Sequence, residues 1–238
     1  MYSLVVFVVI LLLLLYIYSS SGASIEPFVA PEARHILPKV HKDAIINSLE
    51  VIHNMFLEHN IFYCIESGTL LGSVRHKDMI PWDDDGDIMV WLNDKERIMA
   101  LRTKFHLAGM DLKDKVPGNN RLLRVYCVKG KAFPFIDLIL YKQIGDAVPR
   151  CLPRKSEEYN YIVECPAGCC QPTKDNPNMK WWWTFEYKAA DLLPLKLYSF
   201  NRLKLWGPNN PEPFLRSWYG DDYMTSYKVT HNHTGQAL

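Results

Sequence analysis

The chain has 238 residues, of which 22% are charged and 48% apolar, with a net charge of +1. That balance excludes a general nucleic-acid binder, which needs a basic excess to displace counterions. The 30 aromatic residues exclude a disordered chain. No fixed-period repeat is present, so solenoids and propellers are excluded as well.

The average conceals a split. From Met1 to Ile25 there is no Asp, Glu, Lys or Arg, so all 53 charged residues lie beyond. Leu4 to Tyr18 is fifteen consecutive apolar or aromatic residues. A signal-peptide core takes about 7–15, and a membrane-spanning helix about 17–25. Ser21-Gly22-Ala23 supplies small residues for cleavage, while Ser19 to Ala23 would lengthen a short span. Residues 1–25 are therefore expected as an N-terminal hydrophobic helix, either a signal anchor or a cleaved signal peptide. Both readings put the body in the lumen or outside the cell, and the sequon Asn232-His233-Thr234 agrees with them. Residues 26–37 are expected as a stem or linker, and residues 38–238 as one domain.

Along that domain, Lys39 to His59 carries an apolar stripe at Val40, Ala44, Ile45, Leu49, Ile52, Met55 and Phe56, which predicts a helix ended by Asn60. Ile61 to Glu66 predicts a strand. Gly68 to Val74 predicts a glycine-opened turn and short helix, and Asp87 to Trp91 a second strand. Asp94 is expected to cap a helix running to about Leu107. Leu122 to Val128 and Phe133 to Tyr141 predict a hairpin around Lys129-Gly130, and Pro211 to Tyr219 a short helix closed at Gly220. Helices and strands mix without strict alternation, so the fold class is α+β. Cys64 and Cys127 lie in apolar runs and are expected as buried thiols. Cys151, Cys165, Cys169 and Cys170 fall in a Pro-rich stretch. Their spacing is not a standard zinc pattern, so disulfides stapling a loop are expected in an oxidising compartment.

Chemistry concentrates in Trp82-Asp83-Asp84-Asp85-Gly86-Asp87, four carboxylates in five positions. Like charges this close repel unless a cation sits among them. On an extended backbone Asp83, Asp85 and Asp87 share one face and Asp84 takes the other. Carboxylates at i and i+2, entering an apolar strand, suit a hard cation such as Mg²⁺ or Mn²⁺. An EF-hand calcium loop fails, because Ile88 follows Asp87 and Asp94 stands at the last position. A Golgi glycosyltransferase that uses a nucleotide sugar through a D-x-D metal site stays open. Upstream, Gly68 and Thr69 open a helix whose first amides suit phosphate. Downstream, Asp137 sits inside the apolar run Phe135-Ile136-Asp137-Leu138-Ile139, where an unpaired carboxylate is costly. It is expected as a third metal ligand or a general base.

Taken together, GTLLGSVRHKDMIPWDDDGDIMV (Gly68 to Val90) resembles the signature of the LicD/fukutin family of nucleotidyltransferase-fold proteins, and the likeness extends over residues 38 to 224. The resemblance implies a nucleotidyltransferase-like mixed β-sheet flanked by helices. It implies metal-dependent transfer of a phosphorylated alcohol, of the ribitol phosphate or phosphocholine type, from a CDP carrier to a glycan or glycoprotein acceptor. By the same resemblance Asp85 and Asp87 would hold Mg²⁺, and Asp83 would be an outer or alternative ligand. Asp137 would complete the site or orient the attacking hydroxyl, and Gly68, Thr69 and Arg75 would lie near the nucleotide phosphates. Animal relatives are Golgi or endoplasmic-reticulum residents, which implies a luminal catalytic domain held at the membrane by the N-terminal segment. An inactive relative that binds glycan or serves as a partner is the remaining alternative.

Overall fold

The computed structural model describes residues 36–115, 122–142, 147–149, 155–156, 161–162 and 186–225. The hydrophobic run of residues 1–25, the stem, the four clustered cysteines, Trp181 to Trp183 and the sequon lie outside the described residues. Among the described residues, no helix is long and apolar enough to cross a membrane.

Helix α1 (Lys39–Glu58) follows the apolar stripe and buries Ile45, Ile46, Leu49, Ile52, Met55 and Phe56. Asn60 ends it with φ +50°, and the Ile61 N–H returns to the Phe56 carbonyl at 2.8 Å. That left-handed cap closes the last turn, and Asn tolerates it better than most residues. Strand β1 (Tyr63–Ile65), helix α2 (Ser67–Arg75) and strand β2 (Gly86–Trp91) come next. The helix expected from Asp94 is two shorter ones. A 3₁₀ turn (Leu92–Asp94) leads into α3 (Lys95–Ala100) and α4 (Arg102–Leu107). Asp94 does not cap; its carboxylate accepts from Arg97 one turn on. The break falls at Leu101, whose N–H bonds Ile98 O at 2.9 Å. This tighter turn lets Ile98, Leu101 and Phe105 all reach the core.

Strands β3 (Asp111–Asp114), β4 (Leu122–Tyr126) and β5 (Phe135–Tyr141) complete a five-stranded mixed sheet of order β1-β2-β5-β4-β3. Only β2 and β5 run parallel; the other neighbours are antiparallel. The expected hairpin is β4–β5, turning through Gly130 at φ +74°. The sheet therefore agrees with the α+β expectation. Beyond it lie β6 (Ala147–Pro149), β7 (Lys155–Ser156), β8 (Tyr161–Ile162), β9 (Glu186–Lys188), α5 (Ala189–Leu192), the hairpin β10 (Lys196–Phe200) with β11 (Leu203–Gly207), and α6 (Glu212–Tyr219). Gly220 closes α6 at φ +88°, as its sequence predicts.

Two faces divide the labour. Gly86 on β2 brings Ile136 and Ile45 together, so α1 packs on the face that carries Gly86, Ile88, Ile136 and Leu138. Residues of opposite parity, Asp87 and Asp137 among them, occupy the other face. At the far ends of β2 and β5 an aromatic column runs from Tyr141 through Tyr187 and Phe214 to Trp218, with Tyr187 and Phe214 stacked at 4.5 Å. Cys64 and Cys127 are buried free thiols, as expected.

Close packing makes one glycine indispensable. A Cβ on Gly72 would lie 2.6 Å from the Asp78 carbonyl and 3.2 Å from the Ile80 amide, both main-chain atoms that cannot swing away. Gly72→Ala should therefore lower stability by about 2 kcal/mol or more despite its better helix propensity, measured as a lower denaturant midpoint. An unchanged midpoint would refute that packing.

Candidate metal centre

The site begins where β1 ends and β2 starts. Glu66 is fully buried and its amide bonds Asp87 O at 3.2 Å. The next residue, Ser67, turns the chain at φ +46°, and α2 begins there. Asp87 N–H donates to Thr69 Oγ1 at 2.9 Å, which ties the first turn of α2 to the start of β2. Thr69 is itself buried. Gly68 lets the Asp83 carboxylate close on the same turn, since a Cβ there would lie 2.2 Å from Asp83 Oδ2. A carboxylate against the first turn of a helix also meets the positive end of its dipole.

The strand does not include all four aspartates. An Asp83 N–H bond to Ile80 O at 3.0 Å closes a turn, and β2 starts only at Gly86. Alternation of faces holds on a pleated ladder and not through such a turn. Asp84 accordingly does not point away: Asp83, Asp84 and Asp85 each offer an oxygen within 4.8 Å of one another. A second set of the same compactness comprises Asp85, Asp87 and Asp137. Asp84, Asp85 and Asp137 are buried and Asp87 is partly buried.

The register explains the second set. In the parallel β2–β5 ladder Asp87 lies directly beside Asp137. In the antiparallel β5–β4 ladder Asp137 lies beside Arg124. The guanidinium grips Asp137 with both arms, Nε to Oδ1 at 2.5 Å and Nη2 to Oδ2 at 2.8 Å. Burial opposes the Arg124 charge, but this bond and the attraction of Asp137 outweigh it and raise the guanidinium pKa. Asp85 is pushed well above the ordinary carboxylate range by burial, then by Asp83, Asp137 and Asp84, with Arg124 opposing. Burial also raises Asp87, helped by Asp85, Asp137, Glu66 and Asp83. Buried carboxylate oxygens that repel one another form the hard donor set that Mg²⁺ or Mn²⁺ takes.

The fold thus gathers Asp83, Asp85, Asp87 and Asp137, and braces them with Gly68 and Thr69. Arg75 ends α2, about 10 Å along its axis from Gly68, where Nη1 donates to Tyr223 O at 2.9 Å. The cation placed against the carboxylates is Arg124. Sequence reasoning missed Arg124, Glu66 and Asp84. Arg124 left one trace, a lone charge in the apolar run Leu122-Leu123-Arg124-Val125, the counterpart of Asp137 once the hairpin pairs.

Residues 60–210 match the family model described as LicD/FKTN/FKRP, nucleotidyltransferase domain. The chain belongs to that family. An uncharacterised protein of Rickettsia typhi is 28% identical over 177 residues, which is 74% of this chain and 46% of the relative. A Rickettsia prowazekii counterpart shows the same identity over 54% of its length, so the chain spans about half of each. The lipopolysaccharide cholinephosphotransferase LicD of Haemophilus influenzae is 37% identical over 54 residues, 23% of this chain and 20% of its own. Human ribitol 5-phosphate transferase FKRP is 48% identical over 40 residues, 17% of this chain and 8% of its own.

Two outcomes follow. Because Asp85 and Asp87 bind protons more tightly folded than unfolded, they remove stability from the cation-free chain as pH rises through and above the ordinary carboxylate range. Melting temperature in chelator should thus fall between mildly acidic and neutral pH, less steeply in Asp87→Asn, and a divalent cation should restore it at neutral pH; parallel pH profiles for wild type and variant would contradict the assignment. Gly68→Ala meets only the tip of a side chain, so it should leave the cation-free melt within about 1 kcal/mol yet displace Asp83 and weaken the cation-induced rise. A full rise in that variant would remove Asp83 from the site.

Proposed function

We propose that this chain transfers a phosphorylated alcohol, of the ribitol phosphate or phosphocholine type, from a CDP carrier to a glycan or glycoprotein acceptor. The observation that carries the reading is the convergence of Asp85, Asp87 and Asp137, with oxygens within 4.8 Å of one another, in a chain of the family to which LicD and FKRP belong. In this reading an acceptor hydroxyl attacks the phosphorus bearing the alcohol in line, and CMP leaves.

Asp85, Asp87 and Asp137 would hold Mg²⁺ or Mn²⁺, with Asp83 and Asp84 at the edge of the same cluster. A bound divalent cation supplies positive charge to the donor's diphosphate and to the leaving group, the larger part of catalysis in phosphoryl transfer. Asp137 serves as a fixed carboxylate and not as a free base, because Arg124 engages both of its oxygens. The raised proton affinity of Asp85 and Asp87 makes them the sites that release protons when the cation enters. Thr69 and Gly68 keep the first turn of α2 seated against Asp87 and Asp83, so the helix start and the carboxylates present one surface to the donor. The charge-free run of residues 1–25 supports a place in the Golgi or endoplasmic-reticulum lumen, held at the membrane if that segment is retained.

The test incubates the chain with CDP-ribitol, CDP-choline and a panel of UDP- and GDP-sugars, with and without Mg²⁺ or Mn²⁺. The expected result is cation-dependent CMP release from a CDP-alcohol in the presence of glycan, reduced about 10²–10³-fold in Asp87→Asn. Preference for a UDP- or GDP-sugar would replace this reading with a glycosyltransferase, and failure to bind any nucleotide would leave a glycan-binding or partner role.

A further inference from the structure

The charged row on the face of the sheet opposite α1 continues past Asp137. The β4–β3 ladder sets Lys113 beside Arg124, so Asp87, Asp137, Arg124 and Lys113 stand side by side on four neighbouring strands. In this row acids occupy β2 and β5 and bases occupy β4 and β3, while Asp111, two residues before Lys113 on the same face of β3, attracts Lys113. One step along the same face, Phe135 pairs with Tyr126. Both cations lean toward that step: the Arg124 guanidinium lies 3.5 Å from the Phe135 ring centroid, and Lys113 Nζ lies 5.1 Å from that of Tyr126. In the β2–β5 register Gly86 pairs with Ile136, so this is the end at which Asp85 precedes β2. Both cations therefore lean toward the end of the sheet at which Asp85 leads into β2.

Neither is used up by contacts among the described residues. Arg124 commits two N–H groups to Asp137, leaving three of the five donors of a guanidinium. Among the described residues no carboxylate forms a salt bridge with Lys113, which is exposed. A lysine on an edge strand often only guards the edge against strand addition, and such a guard does best extended into solvent. This one lies over Tyr126, next to Arg124. A phosphorylated donor that approaches four aspartates meets repulsion, which two cations leaning toward the same end of the sheet would offset.

We propose that Lys113 and Arg124 form a diphosphate-binding edge, which takes the phosphates of a nucleoside-diphosphate donor beside the carboxylates that hold the cation. The assignment of that diphosphate to a nucleotide rests on the donor reading above. Arg124 supplies a planar fork suited to phosphate oxygens, and Lys113 a mobile point charge.

Calorimetry on the full chain at saturating Mg²⁺ tests this with three probes: CDP, inorganic pyrophosphate and cytidine. Lys113→Met should bind CDP and pyrophosphate about tenfold more weakly, with a shallower dependence on salt, while its Mg²⁺-induced rise in melting temperature stays as in wild type. Arg124→Lys keeps the charge but loses the fork, and should weaken both as well. Lys204→Met removes a lysine of β11 and should change neither. Wild-type affinity for pyrophosphate in Lys113→Met overturns the edge, whatever CDP itself does. If pyrophosphate binds through Lys113 while CDP binds no better than cytidine, the edge stands and the CDP-donor reading falls. Failure of wild type to bind either diphosphate overturns both.

Discussion

Everything at this site depends on the parallel ladder that sets Asp87 beside Asp137. Neighbouring strands lie about 4.8 Å apart, and like charges directly opposite one another destabilise a sheet. Here Asp137 is also buried, Asp87 is partly buried, and Asp85 crowds both. A fold keeps such an arrangement only if other parts of it offset the cost. One offset is local: Arg124, opposite Asp137 on the third strand, engages both carboxylate oxygens. A pair in that geometry recovers much of its desolvation cost, whereas a lone buried Asp would not.

The second offset lies on the reverse side of the sheet. Ile45, Ile46, Leu49, Ile52 and Phe56 of α1 are almost wholly buried, and each such side chain contributes about 1.5–3 kcal/mol by leaving water. Packing on one face thus carries electrostatic strain on the other, and the two are linked through single residues. Gly86 sits between them, its missing side chain admitting Ile136 and Ile45 immediately before Asp87. Gly68 and Gly72, four residues apart on α2, illustrate the same division. Gly72 admits main-chain atoms of the following loop, so it serves the fold; Gly68 admits a carboxylate, so it serves the site.

What was legible in the sequence follows from the range over which each rule acts. The stripe of α1, the Asn60 stop, the β4–β5 hairpin and the Gly220 stop are local patterns, and the structure contains them. Asp87 stood out as one of four carboxylates in five positions, and Asp137 because a charge inside an apolar strand is costly without a partner. Arg124 carried the same signal, but its meaning needed the register between two strands, which no local pattern supplies. Asp84 was misplaced because strand alternation was extended into a turn. Strand β3, with Asp, Leu, Lys and Asp, has an edge-strand composition that leaves almost no apolar trace. Glu66 ends an apolar run and looks like a surface acid until Tyr141, 75 residues away, donates its hydroxyl to it at 2.5 Å.

The order of charges along the row has a consequence of its own. Had acids and bases alternated across β2, β5, β4 and β3, each would have neutralised its neighbour and the face would present little field. Instead Asp87 and Asp137 adjoin, and Arg124 and Lys113 adjoin, so that only the Asp137–Arg124 junction is neutralised. Along this row the remaining charges form a negative end at β2 and a positive end at β3, about 14 Å apart at three strand spacings, with Asp111 beside Lys113 reducing the positive end. A field segregated in this way attracts a cation to one end and an anion to the other, and so orients a ligand that carries both. With the apolar core behind the sheet, that field is weakened less than it would be in bulk water. Segregation stabilises the sheet less than alternation would, which is the relation expected when a row of charges is arranged for a ligand and not for the fold alone.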